Sequence, residues 1–207
     1  MRWCITLWLA TAAVSAATPV VFWASDPVRP DDTVLVTGSG FGAAPRVWLA
    51  PLTRGVSGQV SAGEPAWPGD RKARALDVQQ GSDESLKVTL PADLAPGAWL
   101  CRVEDTAGGT ASAPFRLNCP TVYWLQGDQG AAQGAPGGWL RLFGRCLGGV
   151  GDAAGAVALV AAAGGKQVRL EPELATLWEV RCRLPAGLAA GTWQVLVHNG
   201  WGEAAGW

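Results

Sequence analysis

The fold is decided by the stretch VLVTGSGFG at residues 34–42, where alternating apolar residues run into a glycine-rich turn that contains one aromatic residue. Alternation with a period of two is typical of a β-strand with one buried face, so Val34 and Val36 are predicted to face a hydrophobic core. Phe41 is predicted to fold back over the end of that core. The stretch therefore predicts a core strand, a tight turn and one aromatic plug.

The same order of residue types returns as LRLFGRCLG at residues 140–148, an offset of 106 positions. Leu140 and Leu142 are predicted to face a second core, with Arg141 pointing outward and Leu147 in the place of the plug. A chain of 207 residues has room for two small domains. The repeat therefore predicts two consecutive domains of similar fold.

Two glycines of each copy are predicted to adopt positive φ, which a side chain would penalise: Gly38, Gly42, Gly144 and Gly148. A phosphate-binding loop is the alternative for such a cluster, but it needs the glycines to open a helix. Residues 43–50 instead lead into another strand pattern, and no Lys-Ser or Lys-Thr pair follows the glycines. The glycines therefore indicate turns, and no cofactor is expected.

Each copy opens with a proline and an apolar strand, PVVFW at residues 19–23 and PTVYW at residues 120–124. Strand alternation places four of these side chains on the core faces: Val21, Trp23, Val122 and Trp124. Phe22 and Tyr123 then point the other way. They are candidates for covering an interdomain or ligand-binding surface.

The clearest repeat matches LPADLAPGAW at residues 90–99 to LPAGLAAGTW at residues 184–193. In each copy a strand ends at Leu-Pro, a short turn follows, and Gly-x-Trp begins the next strand. Trp99 and Trp193 are predicted to be core residues of an antiparallel sheet.

These motifs together resemble the IPT/TIG type of immunoglobulin-like domain, through the early Pro-x-Val, the TVLVTGSGFG of residues 33–42, and Leu-Pro ahead of Gly-x-Trp. The resemblance implies an all-β fold of two consecutive immunoglobulin-like antiparallel β-sandwiches, residues 18–118 and 119–207. In the second copy Arg145-Cys146 replaces the usual Ser-Gly, which makes its turn less typical.

The second sandwich is predicted to lack its last strand. The first copy ends with the strand pattern of residues 113–118, and at an offset of 94 positions Ala113 corresponds to the final residue, Trp207. Two expectations follow: a downstream domain of the same polypeptide, or a sheet edge that stays open to a partner. Residues 197–202, VHNGWG, also resemble the end of modules that precede right-handed β-helix (pectate-lyase-like) domains in secreted bacterial polysaccharide-processing proteins.

Residues 1–17 are predicted to be a signal peptide. Arg2 gives a positive start, residues 5–14 are an apolar run, and small residues lie where signal peptidase needs them. The run is too short to span a bilayer, so no membrane span is expected after cleavage. A secreted or periplasmic protein is therefore predicted.

Removal of this leader leaves four cysteines: Cys101, Cys119, Cys146 and Cys182. An even number in an oxidising compartment predicts two disulfides. The favoured pairs are Cys101 with Cys119, across a hairpin, and Cys146 with Cys182; pairing of Cys119 with Cys146 stays open. No metal site is expected, because no Cys-x-x-Cys pair occurs and the sequence has a single histidine.

Charge and acidic residues argue against two classes of function. The 16 basic and 17 acidic residues give a net charge of −1 without a basic stretch, so nucleic acid is not an expected partner. The acidic residues are scattered through turns without a pair suited to sugar hydrolysis. No Gly-x-Ser-x-Gly elbow accompanies His198. The chain is therefore predicted to have no catalytic residues and not to be an enzyme, whereas the parent protein is expected to be a polysaccharide lyase or glycoside hydrolase.

Three aromatic residues are the candidates for contact with a ligand: Trp67, Tyr123 and Trp201. Trp67 lies in a loop, residues 51–74, that is about twelve residues longer than its counterpart in the second copy. The predicted function is a non-catalytic module pair that acts as a spacer or carbohydrate-contacting platform for a downstream domain. The alternative is a protein-interaction or adhesion module of the cell surface, which uses the apolar faces or the open sheet edge.

Overall fold

A computed structural model describes residues 17–56, 60, 66–151, 153–162 and 164–207. The predicted signal peptide lies outside these residues apart from Ala17. No helix within the described residues is long and apolar enough to cross a membrane. The described fold is all-β, with single 3-10 turns at Asp70–Lys72 and Glu203–Gly206.

The strands, in chain order, are β1 Val20–Ala24, β2 Thr33–Ser39, β3 Pro45–Pro51, β4 Arg74–Leu76, β5 Val78–Gly81, β6 Ser85–Thr89, β7 Trp99–Asp105, β8 Thr110–Ala111, β9 Phe115–Leu117, β10 Thr121–Gly127, β11 Gly130–Ala131, β12 Trp139–Arg145, β13 Ala156–Ala161, β14 Gln167–Leu170, β15 Pro172–Ala175, β16 Glu179–Arg183 and β17 Trp193–His198.

The first repeat forms a sandwich of two antiparallel sheets. One sheet has the order β1-β2-β6-β5, and the other has the order β4-β3-β7-β8 with β9 also paired to β7. Val34, Val36 and Trp99 are at most 2% exposed and belong to the core between these sheets, as predicted. Phe41 is fully buried in the same core, which confirms its predicted role as a plug.

The second repeat forms a corresponding sandwich from the sheets β11-β10-β12-β16-β15 and β14-β13-β17. Leu140, Leu142 and Leu147 are buried in its core, as predicted. Within the described residues β17 pairs with β13 alone, whereas its counterpart β7 also pairs with β9. The predicted pair of sandwiches, the second without its last strand, is confirmed.

The missing strand changes the burial of one predicted core tryptophan. Trp99 is 2% exposed and lies opposite Leu117 of β9. Trp193 packs against the second core but is only half-buried. Because no strand of the described chain pairs with the other side of β17, the prediction of Trp193 as a core residue holds only in part.

The glycine inside each core strand allows a close backbone approach. A side chain on Gly38 would overlap the carbonyl oxygen of Val20 and the ring of Phe41. A side chain on Gly144 would overlap the carbonyl oxygen of Thr121 in the same way. The backbone of the first strand of each repeat therefore packs directly against a glycine of the core strand.

The prediction of positive φ is right for one glycine of the four. Gly42 has a φ of 73°, whereas Gly38, Gly144 and Gly148 do not adopt positive φ. Gly38 and Gly144 keep the extended strand conformation, and their lack of a side chain allows the close approach of the neighbouring strand. In the second repeat the turn instead uses Cys146, with a φ of 52°, and Gly149, with a φ of 67°.

A β-bulge interrupts the first strand of each repeat at the same place. Val21 lies opposite Gly38 and Trp23 opposite Thr37, which leaves Phe22 as the extra residue. The second repeat has the same shift between Val122 and Trp124, with Tyr123 as its extra residue.

The bulge overturns the predicted core positions of the two tryptophans. Trp23 is 48% exposed and Trp124 is 51% exposed, because the extra residue breaks the alternation that would have turned them inward. Ala24 and Leu125 pack against the cores in their place.

Asparagine side chains fix the junction between the repeats. The Asn118 side chain accepts a hydrogen bond from Val28 N and donates to the carbonyl oxygens of Val28 and Gly97, at 2.8 to 2.9 Å. The Asn199 amide, fully buried, donates to the carbonyl oxygens of Asn118 and Cys146 at 2.6 and 3.0 Å. Buried amides with these partners hold the linker to both sandwiches.

The long loop of the first repeat reaches the second repeat. Val56 and Val60 pack with Trp207 against the outer side of β13 and β17, where Ala158 is fully buried. A short bridge between Arg54 and Trp201 ties the same loop to the C-terminal segment. The three-stranded sheet is therefore covered by apolar residues on both of its faces.

The four cysteines are free and buried in the structure, so the two predicted disulfides are not formed. Cys101 lies opposite Phe115 on β9, four residues before Cys119, so the strand register does not place the two cysteines opposite each other. Cys182 lies inside the second core, opposite Leu140. The Cys146 thiol instead donates to an oxygen of Asp26 at 3.5 Å, at the junction of the repeats.

Candidate ligand-binding surfaces

Exposed apolar side chains concentrate on the first strand of each repeat. Six of the seven large apolar residues that are exposed in the described chain lie on β1 or β10: Val20, Phe22, Trp23, Val122, Tyr123 and Trp124. β1 is the edge of its sheet, and β11 covers β10 only at Gln126 and Gly127. Both strands therefore present apolar side chains at a sheet edge, where proteins normally avoid them.

A second surface lies on the outer face of the five-stranded sheet in the second repeat. The residues that alternate with its outward positions are buried: Leu140, Leu142, Val180 and Cys182. We name the outward set the aromatic–arginine face and define it as Trp124 of β10, Trp139, Arg141 and Phe143 of β12, Glu173 of β15, and Glu179, Arg181 and Arg183 of β16.

The aromatic end of this face is ordered by stacking. The rings of Trp124 and Phe143 are 4.9 Å apart at an interplanar angle of 21°. The Arg141 guanidinium lies 5.2 Å from the centre of the Phe143 ring, a cation–π distance. Arg141 also donates from Nε and Nη2 to one oxygen of Glu179, at 2.9 and 2.7 Å. These contacts hold Arg141 against the sheet.

The other end of the face is an open cleft of about 320 Å³ lined by Trp139, Arg141, Glu173, Arg181 and Arg183. Glu173 bridges two arginines: its carboxylate oxygens lie 3.0 Å from Arg183 Nε and 3.4 Å from Arg181 Nε. The side chains of Arg183 and Arg181 remain 70% and 46% exposed. Three cations and one anion therefore face the same space.

The cross-strand register brings like charges together. Arg141 lies directly opposite Arg181, and Trp139 lies directly opposite Arg183. Like charges directly opposite each other on a sheet are unfavourable unless another group neutralises them. Glu173 and Glu179 neutralise only part of this charge within the face.

The corresponding face of the first repeat has Trp23 in the place of Trp124, but its described residues include no counterpart of the arginine cleft. Its register pairs are Thr33 with Thr89, Leu35 with Lys87, and Thr37 with Ser85. In the second repeat the equivalent pairs are Trp139 with Arg183, Arg141 with Arg181, and Phe143 with Glu179. The two sandwiches share a fold and differ in the chemistry of this face.

The three ligand-contact residues predicted from the sequence lie in different surroundings. Tyr123 is 67% exposed on the bulge of β10, next to the aromatic–arginine face. Trp67 is half-buried, with the Arg102 guanidinium 4.8 Å from its ring. Trp201 is half-buried between the repeats, and its indole N–H donates to the Val150 carbonyl at 2.9 Å. Tyr123 is therefore the candidate that the structure leaves available.

The surroundings of His198 are those of a structural residue that hydrogen-bonds the backbone. It is fully buried, its Nδ1 accepts a hydrogen bond from Gly200 N at 2.8 Å, and its Nε2 donates to the Glu203 carbonyl at 2.7 Å. These partners require the neutral ring with the proton on Nε2. Burial lowers the pKa of His198, and Arg169 lowers it further against the opposing effect of the Glu203 carbonyl. Elsewhere in the described chain no group of three or more His, Cys, Asp or Glu is placed to hold a metal ion.

A cleft of about 470 Å³ separates the two repeats. Pro27, Arg29 and Pro96 line one side, and Val150, Leu177 and Trp178 line the other. Near it, the buried carboxylate of Asp26 lies 3.5 Å from Arg145 Nε of the second repeat. Burial raises the pKa of Asp26 despite the hydrogen bond from Asn118 and the nearby charge of Arg145. The pair of Asp26 and Arg145 is therefore a packing contact between the two repeats.

Sequence reasoning missed the aromatic–arginine face, although a signal for it was present. The alternation that placed Leu140 and Leu142 inside also places Trp139, Arg141 and Phe143 together outside. Their meeting with Arg181 and Arg183 depends on strand order, which repeats within one chain do not reveal.

Comparison with known proteins does not identify a family. No protein-family model matches the chain, and a search of curated proteins found no match. Among solved structures, the full extracellular region of plexin A4 matches with a TM-score of 0.30 and 12% identity. That match covers 95% of this chain, which spans 18% of the plexin chain.

Proposed function

We propose that this chain is a non-catalytic module pair that binds a polysaccharide through the aromatic–arginine face of its second repeat. In this proposal the first repeat is a support that holds the second at a fixed angle. The leader-like residues 1–17 favour action outside the cytoplasm. A polysaccharide-acting domain of the same polypeptide remains part of the proposal.

The observation that carries the proposal is the difference between equivalent faces of the two repeats. The first repeat has Thr33, Leu35 and Lys87 on this face, which are ordinary residues for a solvent-facing sheet. The second repeat has planar side chains at the same positions: Trp139, Arg141 and Arg181. Planar aromatic and guanidinium groups stack on apolar ring faces and donate several hydrogen bonds. Sugar rings offer both an apolar face and many acceptors.

A protein partner is the second candidate, and the bulged first strands favour it. Phe22 is 70% exposed on β1, an edge strand that has no counterpart of the arginine cleft. Exposed apolar residues on an unpaired edge suit strand addition by another protein. This surface occurs in both repeats, whereas the aromatic–arginine face occurs in one.

Matched tryptophan variants separate the two candidates. Trp23→Ala and Trp124→Ala remove equivalent residues of β1 and β10, and Trp139→Ala removes a residue of the cleft. Affinity electrophoresis of the full chain in gels that contain neutral or acidic polysaccharides measures binding. We expect retardation that Trp124→Ala and Trp139→Ala reduce and Trp23→Ala leaves unchanged. Lack of retardation on every polysaccharide, or release of soluble sugar, contradicts the proposal.

A further inference from the structure

We infer that the cleft beside Trp139 is a carboxylate-binding subsite, so that the polysaccharide is acidic, a chain whose uronic acid groups are spaced between neutral sugars. This inference rests on the proposed function and specifies its ligand. It is carried by the arrangement of Trp139, Arg141, Glu173, Arg181 and Arg183.

The charge of the cleft favours an anionic ligand. Arg141 is held by Glu179 at 2.7 Å, which leaves Glu173 alone to face both Arg181 and Arg183. One carboxylate therefore serves two guanidinium groups, each with five N–H donors. A second anion that enters the cleft gains unused donors and relieves the repulsion between arginines.

The geometry favours a carboxylate in particular. Glu173 shows that a carboxylate fits between these guanidinium groups, since its two oxygens contact Arg183 and Arg181 separately. Arg181 and Arg183 lie two residues apart on β16, so their side chains emerge on one face about 7 Å apart along the strand. A ligand carboxylate can exchange with Glu173 or bind on the side of Arg141.

The neighbouring aromatic residue favours a ring that carries the acid. Trp139 is half-buried and lies directly opposite Arg183, so an apolar surface adjoins the cationic groups. A uronic acid combines a ring face for the tryptophan with a carboxylate for the arginines. An isolated small anion would use only the second of these features.

The same face is a poor match for nucleic acid. Sequence-independent binding of nucleic acid depends on neutralising several phosphates. The aromatic–arginine face offers three arginines, and two carboxylates lie among them. The chain as a whole has a net charge of −1. These charges suit a ligand whose acidic groups are few and separated.

The experiment compares two forms of one oligosaccharide by titration calorimetry with the full chain. The probe is a hyaluronan hexasaccharide, in which a uronic acid alternates with a neutral sugar, and its partner is the carboxyl-reduced hexasaccharide. We expect the reduced form to bind about tenfold more weakly, with binding of the acidic form falling as salt rises.

Substitution by the residues of the first repeat gives a matched variant: Trp139→Thr, Arg141→Leu, Arg181→Lys and Arg183→Thr. We expect this variant to lose at least about tenfold in affinity for the acidic probe. Lys87→Glu, which changes charge on the equivalent face of the first repeat, is expected to bind as the parent chain does. Arg183→Glu alone is a second test of the same loss of affinity. The Arg183 side chain is 70% exposed and contributes little to folding, so the variant is expected to stay folded.

Glu173→Gln distinguishes a binding subsite from a structural ion-pair network. Removal of the competing carboxylate frees Arg181 and Arg183, so the acidic probe is expected to bind roughly fivefold more tightly. Unchanged or weaker binding by this variant contradicts the inference.

The remaining outcomes are separable. Equal affinity for the acidic and reduced hexasaccharides, sensitive to Trp139, overturns the carboxylate subsite and leaves the proposed polysaccharide function standing. Binding of neither form, with retardation still seen in the polysaccharide gels, overturns the carboxylate subsite alone. Binding of neither form together with no retardation on any polysaccharide overturns both. Stronger binding of a uridine dodecanucleotide than of the acidic hexasaccharide assigns the face to nucleic acid and overturns both.

Discussion

The two repeats of this chain differ least where they are buried and most where they are exposed. Both have a glycine under the first strand and a bulge at the same position, with a plug that is aromatic in one copy and aliphatic in the other. Their outer sheet faces share an exposed tryptophan and one basic position, Lys87 or Arg181, and differ in residue type at the other paired positions. Packing constrains the shared features, because a backbone contact or a core position admits few residues. The outer face is under no such constraint, so the two repeats can differ there without loss of core packing.

The open side of β17 is the second difference. In the first repeat β9 supplies Leu117 to the core and covers Trp99. In the second repeat the chain after β17 instead turns toward the first repeat, where Gly202 N donates to the Thr53 carbonyl at 2.7 Å. Among the described residues, the second sandwich has fewer buried core residues than the first, and residues of the first repeat supply part of its cover.

Thiol labelling can compare the two cores, with the largest effect that we expect. Burial raises the pKa of Cys182 to about 12 and also raises the pKa of Cys101. At pH 8 both thiols should react with iodoacetamide at least about a thousandfold more slowly in the native chain than in denaturant. Mass spectrometry of tryptic peptides measures each site separately. Disulfide-linked peptides in non-reduced samples would contradict the free thiols and restore the pairing expected from the sequence.

Substitution of the strand glycines should destabilise each repeat selectively. Gly38→Ala and Gly144→Ala each place a methyl group against a backbone carbonyl oxygen, at a cost of about 3 kcal/mol or more. Gly38→Ala should accelerate labelling of Cys101 before Cys182, and Gly144→Ala should do the reverse. Gly187→Ala is the control, because no atom lies within 4 Å of its added carbon. Equal acceleration at both thiols would show that the repeats unfold as one unit.

Truncation of the equivalent tryptophans tests the missing strand. Trp99→Ala should cost about 4 kcal/mol, the usual range for a buried aromatic residue. Trp193→Ala should cost about half as much, because its ring is half-buried. Urea unfolding followed by circular dichroism gives both values. A cost for Trp193→Ala that equals that of Trp99→Ala would mean that the ring is covered in solution.

The smallest effect concerns the pH dependence of stability, to which the buried His198 of the second repeat contributes. The folded pKa of His198 lies below its unfolded value of about 6.5, because burial disfavours the charged ring. The contribution of the neutral ring to the free energy of unfolding is present above pH 6.5 and is lost as the pH falls below that value. The thermal midpoint should fall by a few degrees from pH 7 to pH 5, and less in His198→Gln. Asp26, whose pKa is raised, changes stability with the opposite sign.

The sandwich arrangement was predicted from the resemblance to IPT/TIG domains. The sequence repeat was sufficient to predict two similar domains and their core strands, because buried alternation maps directly onto strand faces. Val34, Leu140 and their neighbours were placed correctly for this reason. The exposed tryptophans were not, since one extra residue in a strand reverses every later side chain. The structure does not support the predicted disulfides: Cys101 lies opposite Phe115 instead of Cys119, and register cannot be read from spacing alone.

The aromatic–arginine face illustrates a different limit of sequence-based prediction. Trp139 and Arg183 are 44 residues apart in the chain and become neighbours only because β16 pairs with β12. Neither residue belongs to a local motif. Their counterparts Thr33 and Thr89 pair in the same register and carry no comparable chemistry, so the repeat itself gave no reason to single them out.

The asparagine junction has a mechanical consequence. Asn118 is hydrogen-bonded to the first sandwich through its side chain and to the second through its carbonyl oxygen. The linker is therefore held on both sides. A pull on the two ends of the chain cannot swing one repeat about the other without breaking buried hydrogen bonds. Force applied to the chain would therefore be transmitted from one repeat to the other with their relative orientation kept.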